Sequence, residues 1–339
     1  MSFLAEVCAI GIYWRANVRN DIGGRFQANT FTVMKIVFLE PLGLKVQQIE
    51  SACEGLKKAG HEVVIYPDRN ENLDELKRRA EGAEVIIESN IPLRKDFLDA
   101  CPKLKMLSIA FTGLDHIDME ECQRRGIIVK NAAGYSTEAV AELAIAMMID
   151  VYRKVLENDT ITRQCNRKGI MPGREIGGKT IGIIGMGNIG QRVAKLANAF
   201  GCKVLAWNRT PKQIEGVTFV DKETLLKGSD IVTLHIALNA ETRDFITAKD
   251  FALMKPSSLL INTARGPVVN ETALANALKQ GQIAAAATDV YGTEPPLKPD
   301  NPLFDAPNLI MLPHIGFATE EAFVLRLGIV VNNVMQFLN

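Results

Sequence analysis

The glycine pattern in the middle of the chain constrains the fold more than any other feature of the sequence. Gly185, Gly187 and Gly190 have Gly-x-Gly-x-x-Gly spacing within T-I-G-I-I-G-M-G-N-I-G-Q-R-V-A-K-L. A short run rich in β-branched apolar residues, typical of a buried strand, precedes them. In residues 189–200, which follow, the apolar residues recur at helical spacing. Glycines at these positions allow a tight turn, a close backbone approach to a pyrophosphate and close packing of helix on strand. The pattern predicts a dinucleotide site at the N-terminus of the helix; the alternative is a glycine-rich turn without a ligand.

The end of the next strand bears on which dinucleotide is bound. K-V-L-A-W (203–207) reads as that strand, and Asn208, Arg209 and Thr210 follow it. An NAD site is expected to have an acidic residue there, because its carboxylate bonds the ribose 2′-hydroxyl. This chain has no carboxylate at that point, whereas Arg209 would pair with a 2′-phosphate. We therefore expect NADP(H) to be favoured, with NAD(H) as the other candidate; the alternative is that Arg209 points into solvent.

The charge balance argues against two classes of partner. Lys plus Arg and Asp plus Glu both number 39 in the 339 residues, so no net charge favours nucleic acid or a membrane surface. No apolar run approaches the length of a bilayer-spanning segment. The six cysteines are scattered without a Cys-x-x-Cys pair, so we expect no metal site. Free thiols of this kind are typical of a reducing cytosol, and we therefore expect a cytoplasmic location. Residues 1–33 lack a sustained period and precede a clear strand after Met34, so we expect them to be a dispensable N-terminal extension.

Alternating strand and helix patterns fill the rest of the chain. Residues 34–133 contain continuous branched runs separated by helical patterns, and the alternation resumes after the glycine stretch. Such alternation is typical of parallel sheets covered on both faces, so the sequence predicts an α/β protein with two doubly wound parallel-sheet domains. The final helix, 319–338, is expected to return to the first domain. The apolar helix 136–152, with Ser136 as its N-cap, is expected to cross between domains or form a subunit interface, and the polar segment 157–179 to act as a linker.

Three residues with complementary chemistry follow late strands of the second domain. Arg265 follows L-L-I-N-T-A, Glu294 follows T-D-V-Y-G-T, and His314 follows I-M-L-P. Because the carboxyl ends of parallel strands share the edge that holds the cofactor, these side chains are expected to meet there. They suit reduction of a 2-oxo acid by hydride from nicotinamide: Arg265 would bind the substrate carboxylate, His314 would protonate the forming alkoxide, and Glu294 would orient the histidine. Each residue alone has an ordinary reading as a surface ion pair, a loop residue or a backbone contact.

The turn A-F-T-G-L-D-H-I-D (110–118) is a second candidate. Thr112 and Gly113 follow the fourth strand, where their backbone N–H groups would face an anionic substrate. The alternative is a plain turn in which Asp115 or Asp118 caps the next helix, and the residues alone leave both readings open.

These stretches resemble the D-isomer-specific 2-hydroxyacid dehydrogenase family. The matching segments are G-I-I-G-M-G-N-I-G-Q (182–191), S-D-I-V-T-L-H-I (229–236), L-I-N-T-A-R-G-P-V-V-N-E-T-A-L (260–274), A-T-D-V-Y-G-T-E-P-P (287–296), L-P-H-I-G-F-A-T-E-E-A (312–322) and G-Y-S-T-E-A-V-A-E-L (134–143). The resemblance implies a flavodoxin-like substrate domain, formed by 34–133 plus 315–339. It also implies an inserted Rossmann cofactor domain at 134–314.

The resemblance further implies which residues form the site. The family's catalytic Arg, Glu and His fall on Arg265, Glu294 and His314, and its substrate-loop contacts on Thr112 and Gly113. The expected cofactor contacts are Thr137, Gly185, Gly187, Asn188, Ile189, Gly190, Asn208, Arg209, Thr210, Thr263, Ala264 and Asp289. Members are commonly dimers built on the crossover helix, so a homodimer through 136–152 is expected.

One departure from the family pattern bears on which subgroup of the family this chain resembles. The missing acidic residue resembles NADPH-using glyoxylate and hydroxypyruvate reductases, and short phosphoglycerate dehydrogenases are the other candidate subgroup. The competing hypothesis is a dinucleotide-sensing binding protein, similar to the transcriptional corepressors that keep this fold. Turnover of simple 2-oxo acids separates the two hypotheses, while the sequence leaves the particular acid and the physiological direction open.

Overall fold

The computed structural model describes residues 33–164, 169–293 and 295–339. Residues 1–32 of the expected extension and the candidate catalytic residue Glu294 lie outside this part of the chain.

The first sheet is parallel throughout, with strand order β2-β1-β3-β4-β5. Its strands are β1 Lys35–Phe38, β2 Glu62–Ile65, β3 Val85–Glu88, β4 Met106–Ile109 and β5 Ile128–Asn131. The helices between them are α1 Val46–Ala52, α2 Glu54–Lys58, α3 Leu73–Arg79, α4 Lys95–Asp99 and α5 Met119–Arg124. This order is the flavodoxin-like one, so the expected class of the first sheet is confirmed.

The second sheet is also parallel and has the order β12-β11-β10-β9-β6-β7-β8. Its strands are β6 Thr180–Ile184, β7 Lys203–Trp207, β8 Val217–Phe219, β9 Ile231–Leu234, β10 Leu259–Asn262, β11 Ala285–Thr288 and β12 Leu309–Met311. The order extends the Rossmann arrangement by one strand, and the chain reverses direction across the sheet between β6 and β9. A ligand crevice is expected at that reversal, beyond the carboxyl ends of the strands.

Helices cover both faces of the second sheet and connect it to the first. They are α6 Thr137–Arg153, α7 Val155–Arg163, α8 Asn188–Ala199, α9 Lys222–Gly228, α10 Ala248–Phe251, α11 Glu271–Lys279 and α12 Glu320–Leu338, with a short 3₁₀ turn at Gly266–Val268. Helix α6 packs on α8 and on the second sheet, whereas α12 packs on β4 and β5 of the first. The last helix therefore returns to the first sheet, and the residue boundaries of the two domains stay a prediction.

Local details differ from the sequence expectations at two places. Ser136 occupies the N-cap position of α6, but its side chain makes no capping hydrogen bond. The segment expected to be a linker begins instead with helix α7, which follows Lys154 in a left-handed conformation (φ 51°). Helix α7 has no buried residue, and for that reason hydrophobic spacing did not reveal it.

Helix α12 is long and has a strongly apolar composition. An 18-residue window within it has a mean hydropathy of 1.3, so by length and composition alone it would pass for a membrane-spanning helix. The expectation that no apolar run approaches the length of a bilayer-spanning segment is therefore wrong for this helix. Its buried residues, which include Leu327, Val330 and Val334, pack into the core of the first sheet. Because 33% of the window is buried, that packing accounts for a part of the apolar composition.

Candidate active site

The glycine-rich turn connects β6 to α8 at the point where the second sheet reverses. Gly185 has a φ of 100°, and a Cβ placed on it would lie 2.5 Å from the carbonyl oxygen of His235. A Cβ on Gly190 would lie 2.0 Å from the carbonyl oxygen of Gly185. A Cβ on Gly187, the N-cap residue of α8, would meet nothing within 4 Å among the residues that the structure describes. Packing therefore requires two of the glycines, and the third leaves open space at a helix N-terminus, where a pyrophosphate fits.

The residues after β7 support the same turn. Asn208 Oδ1 accepts a hydrogen bond from the backbone N–H of Met186 at 3.0 Å, and its Nδ2 donates to the carbonyl of Thr210 at 2.7 Å. Arg209 is 82% exposed, and its Nη1 lies 3.6 Å from Glu241 Oε2. Lys212 Nζ donates to the carbonyl of Met186 at 3.0 Å. Sequence reasoning missed Lys212, although a cation two residues after the 208–210 segment was a visible signal.

Two buried polar atoms at the ends of β9 and β10 have no partner in the part of the chain that the structure describes. His235 Nε2 is 3.0 Å from Thr233 Oγ1, while His235 Nδ1 is buried and has no hydrogen-bond partner among the described residues. The same holds for Thr263 Oγ1. Burial lowers the pKa of His235 to about 3, so the ring is neutral. Buried polar atoms normally have partners, so these two, at the carboxyl ends of neighbouring strands, fit a groove that receives a polar ligand such as a dinucleotide.

Arg265 lies just after β10 and reaches the first sheet. Its Nε is 3.3 Å from Asp115 Oδ1, and its Nη1 donates to the carbonyl of Ala264 at 2.8 Å. Its guanidinium carbon lies 5.6 Å from the ring centroid of Phe111. A Cβ on Gly113 would lie 1.9 Å from Arg265 Nη2, so a side chain at this position would displace the guanidinium. The fold thus brings the candidate substrate loop and the candidate substrate arginine together.

The loop that carries Asp115 is fixed by its neighbours in the first sheet. His116 Nε2 lies 3.0 Å from Oε1 of the fully buried Glu88, and burial raises the pKa of that carboxyl. Asp118 is the residue that caps α5, because its Oδ1 accepts from the N–H of Glu121 at 3.0 Å. Burial alone would raise the pKa of Asp115, but the Arg265 charge and the hydrogen bonds outweigh burial, and the pKa lies below its usual range.

His314 follows β12 and faces the same aromatic ring as Arg265. Its ring centroid lies 6.0 Å from that of Phe111 and 5.4 Å from that of Phe317, both edge-on. Its backbone is left-handed, with φ at 59°. The next two residues donate N–H groups to the carboxylate of the buried Asp289, at 2.8 and 2.7 Å. The structure therefore brings Arg265, His314 and the 112–113 loop to one cleft edge.

Two further candidate residues are Ala264, after β10, and Thr137, at the start of α6. Ala264 donates its N–H to Asn262 Oδ1 at 3.1 Å. Thr137 begins α6, and the adjacent Glu138 pairs with Arg192 of α8 at 2.6 Å, which places the helix start near the glycine turn. Within the described ranges, no cluster of His, Cys, Asp and Glu could hold a metal ion.

Comparisons with known proteins agree with this geometry. Residues 145–316 match the family model described as D-isomer specific 2-hydroxyacid dehydrogenase, NAD binding domain. A glyoxylate reductase of Thermococcus litoralis is 42% identical over 255 residues, which cover 72% of this chain and 76% of the relative. Among solved structures, an acyclic imino acid reductase in complex with NADPH and D-Arg is similar with a TM-score of 0.81 and 32% identity, covering 90% of this chain and 97% of its own. D-lactate dehydrogenase of Aquifex aeolicus, complexed with NAD and lactic acid, has a TM-score of 0.77 and 29% identity, covering 89% and 95% of the two chains.

Proposed function

Because the chain belongs to the D-isomer-specific 2-hydroxyacid dehydrogenase family, we propose that it reduces a small 2-oxo acid to the D-2-hydroxy acid, with NADPH as the favoured cofactor. Transfer of hydride between a nicotinamide cofactor and a 2-hydroxy acid/2-oxo acid pair is the activity of the family. For this chain we propose three further points: the roles of the site residues, the preference for NADPH and a small substrate.

One observation carries the proposal: Arg265 and His314 flank the same ring, Phe111. The guanidinium carbon of Arg265 lies 5.6 Å from its centroid, and the His314 ring lies 6.0 Å from it. The two residues come from different strand ends, after β10 and β12. A carboxylate held by the arginine would bring the adjacent carbonyl towards the histidine. A 2-oxo acid is the smallest molecule with that pair of groups.

The residues would divide the chemistry as follows. Arg265 would bind the substrate carboxylate at two points, helped by the backbone N–H groups of Thr112 and Gly113. When bound, the nicotinamide cofactor supplies the hydride. His314 would donate its proton to the carbonyl oxygen in reduction and would accept a proton from the hydroxyl in oxidation. We propose that Glu294, outside the described residues, orients His314; this role rests on the sequence alone.

The proposed cofactor contacts follow the groove along the second sheet. The glycine turn would hold the pyrophosphate, His235 and Thr263 supply buried polar atoms beside it, and Asp289 lies at the far end near His314. NADPH is favoured because 208–210 has no carboxylate and offers the largely exposed guanidinium of Arg209. Similar structures contain NADPH in one case and NAD in the other, so they support either nucleotide.

The aromatic rings support a small substrate. The centroids of Phe111 and Phe317 lie 5.3 Å apart, and both pack edge-on against His314. They leave an apolar wall beside the acid/base residue, which suits glyoxylate or hydroxypyruvate better than a substrate with a phosphate group.

We also propose that the protein is a cytoplasmic homodimer joined through helix 136–152. Val155 and Leu156, directly after that helix, are 44% and 51% exposed and would be covered by a second copy. Light scattering coupled to size exclusion would measure the mass, and a monomeric mass at micromolar concentration would reject the dimer.

The test of the function is a panel of 2-oxo acids with NADPH and with NADH, followed by nicotinamide absorbance. Turnover that prefers one small acid and NADPH is expected. Tight dinucleotide binding without turnover of any acid in the panel would reject the enzyme and favour the sensing protein.

A further inference from the structure

Arg265 and Asp115 form an ion pair between the two sheets. The arginine follows β10, the aspartate lies in the loop after β4, and 150 positions separate them in the chain. Their side chains are 21% and 50% exposed, and Nε lies 3.3 Å from Oδ1. The distance is longer than the 2.7–2.9 Å typical of a charge-assisted hydrogen bond, so the contact orients the guanidinium without locking it.

The hydrogen bonds of Arg265 use two of its N–H groups, one on Nε and one on Nη1. Nε bonds Asp115, and one N–H of Nη1 bonds the carbonyl of Ala264. A guanidinium has five N–H donors, and in the described part of the chain none of the other three has a protein acceptor within hydrogen-bond distance. Nη2 lies against Gly113, and the Nη1–Nη2 edge, which binds a carboxylate at two points, therefore has donors left for a ligand.

Asp115 is held in place independently of Arg265. Arg94 Nη2 donates to the carbonyl of Asp115 at 3.0 Å, and the neighbouring His116 is bound to the buried Glu88. The helix cap in this loop is Asp118, so the Asp115 side chain is not needed to start α5. A carboxylate with a fixed backbone and no capping role is available to orient another group.

We propose that Asp115 is a positioning residue for substrate binding: its carboxylate holds the Nε side of Arg265 so that the Nη1–Nη2 edge meets the carboxylate of the 2-oxo acid. The proposal rests on the proposed role of Arg265. The opposite reading is that Asp115 acts as an internal carboxylate that competes with the substrate for the guanidinium. The two readings predict changes of opposite sign in the KM of the 2-oxo acid.

The test compares Asp115→Ala and Asp115→Asn with wild type in steady-state kinetics with NADPH. Positioning predicts that Asp115→Ala raises the KM of glyoxylate about tenfold, the usual scale for loss of one charged hydrogen bond. Asp115→Asn keeps an oxygen for Nε and should raise KM less. The dissociation constant of NADPH, measured by fluorescence, and the melting temperature should not move in either variant. An unchanged or lowered KM in Asp115→Ala overturns the proposal.

Asp159→Ala is the matched control. Asp159 is 52% exposed and accepts a hydrogen bond from Arg163 Nε at 2.8 Å within α7. The substitution therefore removes a similar aspartate–arginine pair that lies away from the cleft. Its KM should match that of wild type.

Arg265→Lys separates this inference from the proposed function. If Arg265→Lys raises KM and Asp115→Ala does not, only the positioning role fails. If Arg265→Lys leaves KM unchanged, the assignment of Arg265 to the substrate fails instead. In the Arg265→Lys background, Asp115→Ala should add little, because its effect is transmitted through the guanidinium.

Discussion

The carboxylate of Asp289 accepts the backbone N–H of Gly316 at 2.7 Å, and its other oxygen accepts the N–H of Ile315 at 2.8 Å. These two N–H groups follow His314, whose backbone has a φ of 59°. A left-handed histidine is uncommon and needs its surroundings to hold it. The buried carboxylate at the end of β11 therefore fixes the turn that presents the candidate acid/base residue.

Asp289→Asn should weaken this turn. An amide offers one oxygen, and its NH₂ group would face an N–H donor, so one hydrogen bond is lost and a donor is left opposed. We expect a loss of about 1–3 kcal/mol in the free energy of unfolding, measured by urea denaturation, together with a lower kcat. Asp300→Asn, at an exposed aspartate, is the control and should change neither quantity. Unaltered stability and kcat in Asp289→Asn would show that the turn does not depend on the carboxylate.

His314→Ala should remove the proton donor without removing the cofactor groove. Loss of a general acid/base lowers turnover by about 10²–10⁴-fold, and we expect kcat to fall in that range. The dissociation constant of NADPH, measured by nicotinamide fluorescence, should stay within about threefold of the wild-type value, which is less than about 1 kcal/mol in binding free energy. His61→Ala, whose Nδ1 accepts from the N–H of Met34 at the other end of the first sheet, is the control. Full turnover in His314→Ala would exclude the proposed acid/base.

The residues that the sequence identified lie at strand ends. A strand end can be found from the length of an apolar run, and parallel strands put their carboxyl ends on one edge, so Arg265 and His314 could be placed without coordinates. The glycine turn was equally readable, because each of its glycines has a local geometric reason.

What the sequence did not show depends on contacts between distant segments. Nothing in the spacing of Asp115 and Asp118 shows which of them caps α5 and which pairs with an arginine 150 positions away. The binding of Asp289 to the turn after His314 is hidden for the same reason. Helix α7 was missed because it buries no face.

Gly187→Ala and Gly190→Ala should have different effects, although both change one glycine of the same turn. A methyl group on Gly190 would lie 2.0 Å from a backbone oxygen, so the helix must shift and the protein should lose stability or fail to fold. A methyl group on Gly187 has open space around it, with no atom of another described segment within 4 Å. We expect Gly187→Ala to fold with a wild-type melting temperature and to bind NADPH at least tenfold more weakly, since the methyl group occupies the proposed pyrophosphate space. Titration calorimetry measures the affinity, and unchanged affinity would move the pyrophosphate elsewhere.

Arg209→Ala should reduce the preference for NADPH. The guanidinium is 82% exposed after β7 and would pair with a 2′-phosphate, so its loss should lower kcat/KM with NADPH by about tenfold and leave NADH unaffected. Arg163→Ala removes a similarly exposed arginine from α7 and should change neither value. An equal loss with both cofactors would mean that Arg209 affects the turn and does not read the phosphate.

His235 should make the fold sensitive to acid. Burial depresses its pKa to about 3, against about 6.5 in an unfolded chain. A depressed folded pKa contributes stability above the unfolded pKa, and that contribution is lost as the pH falls from about 6.5 towards 3. His235→Asn removes the titrating ring, so its stability should fall less steeply over that window, and the midpoint of acid unfolding should move to lower pH. At pH 8 the ring is neutral in both states, so the difference between variant and wild type there measures packing alone. Parallel acid-unfolding curves for the two proteins would show that the ring is charged in the folded state.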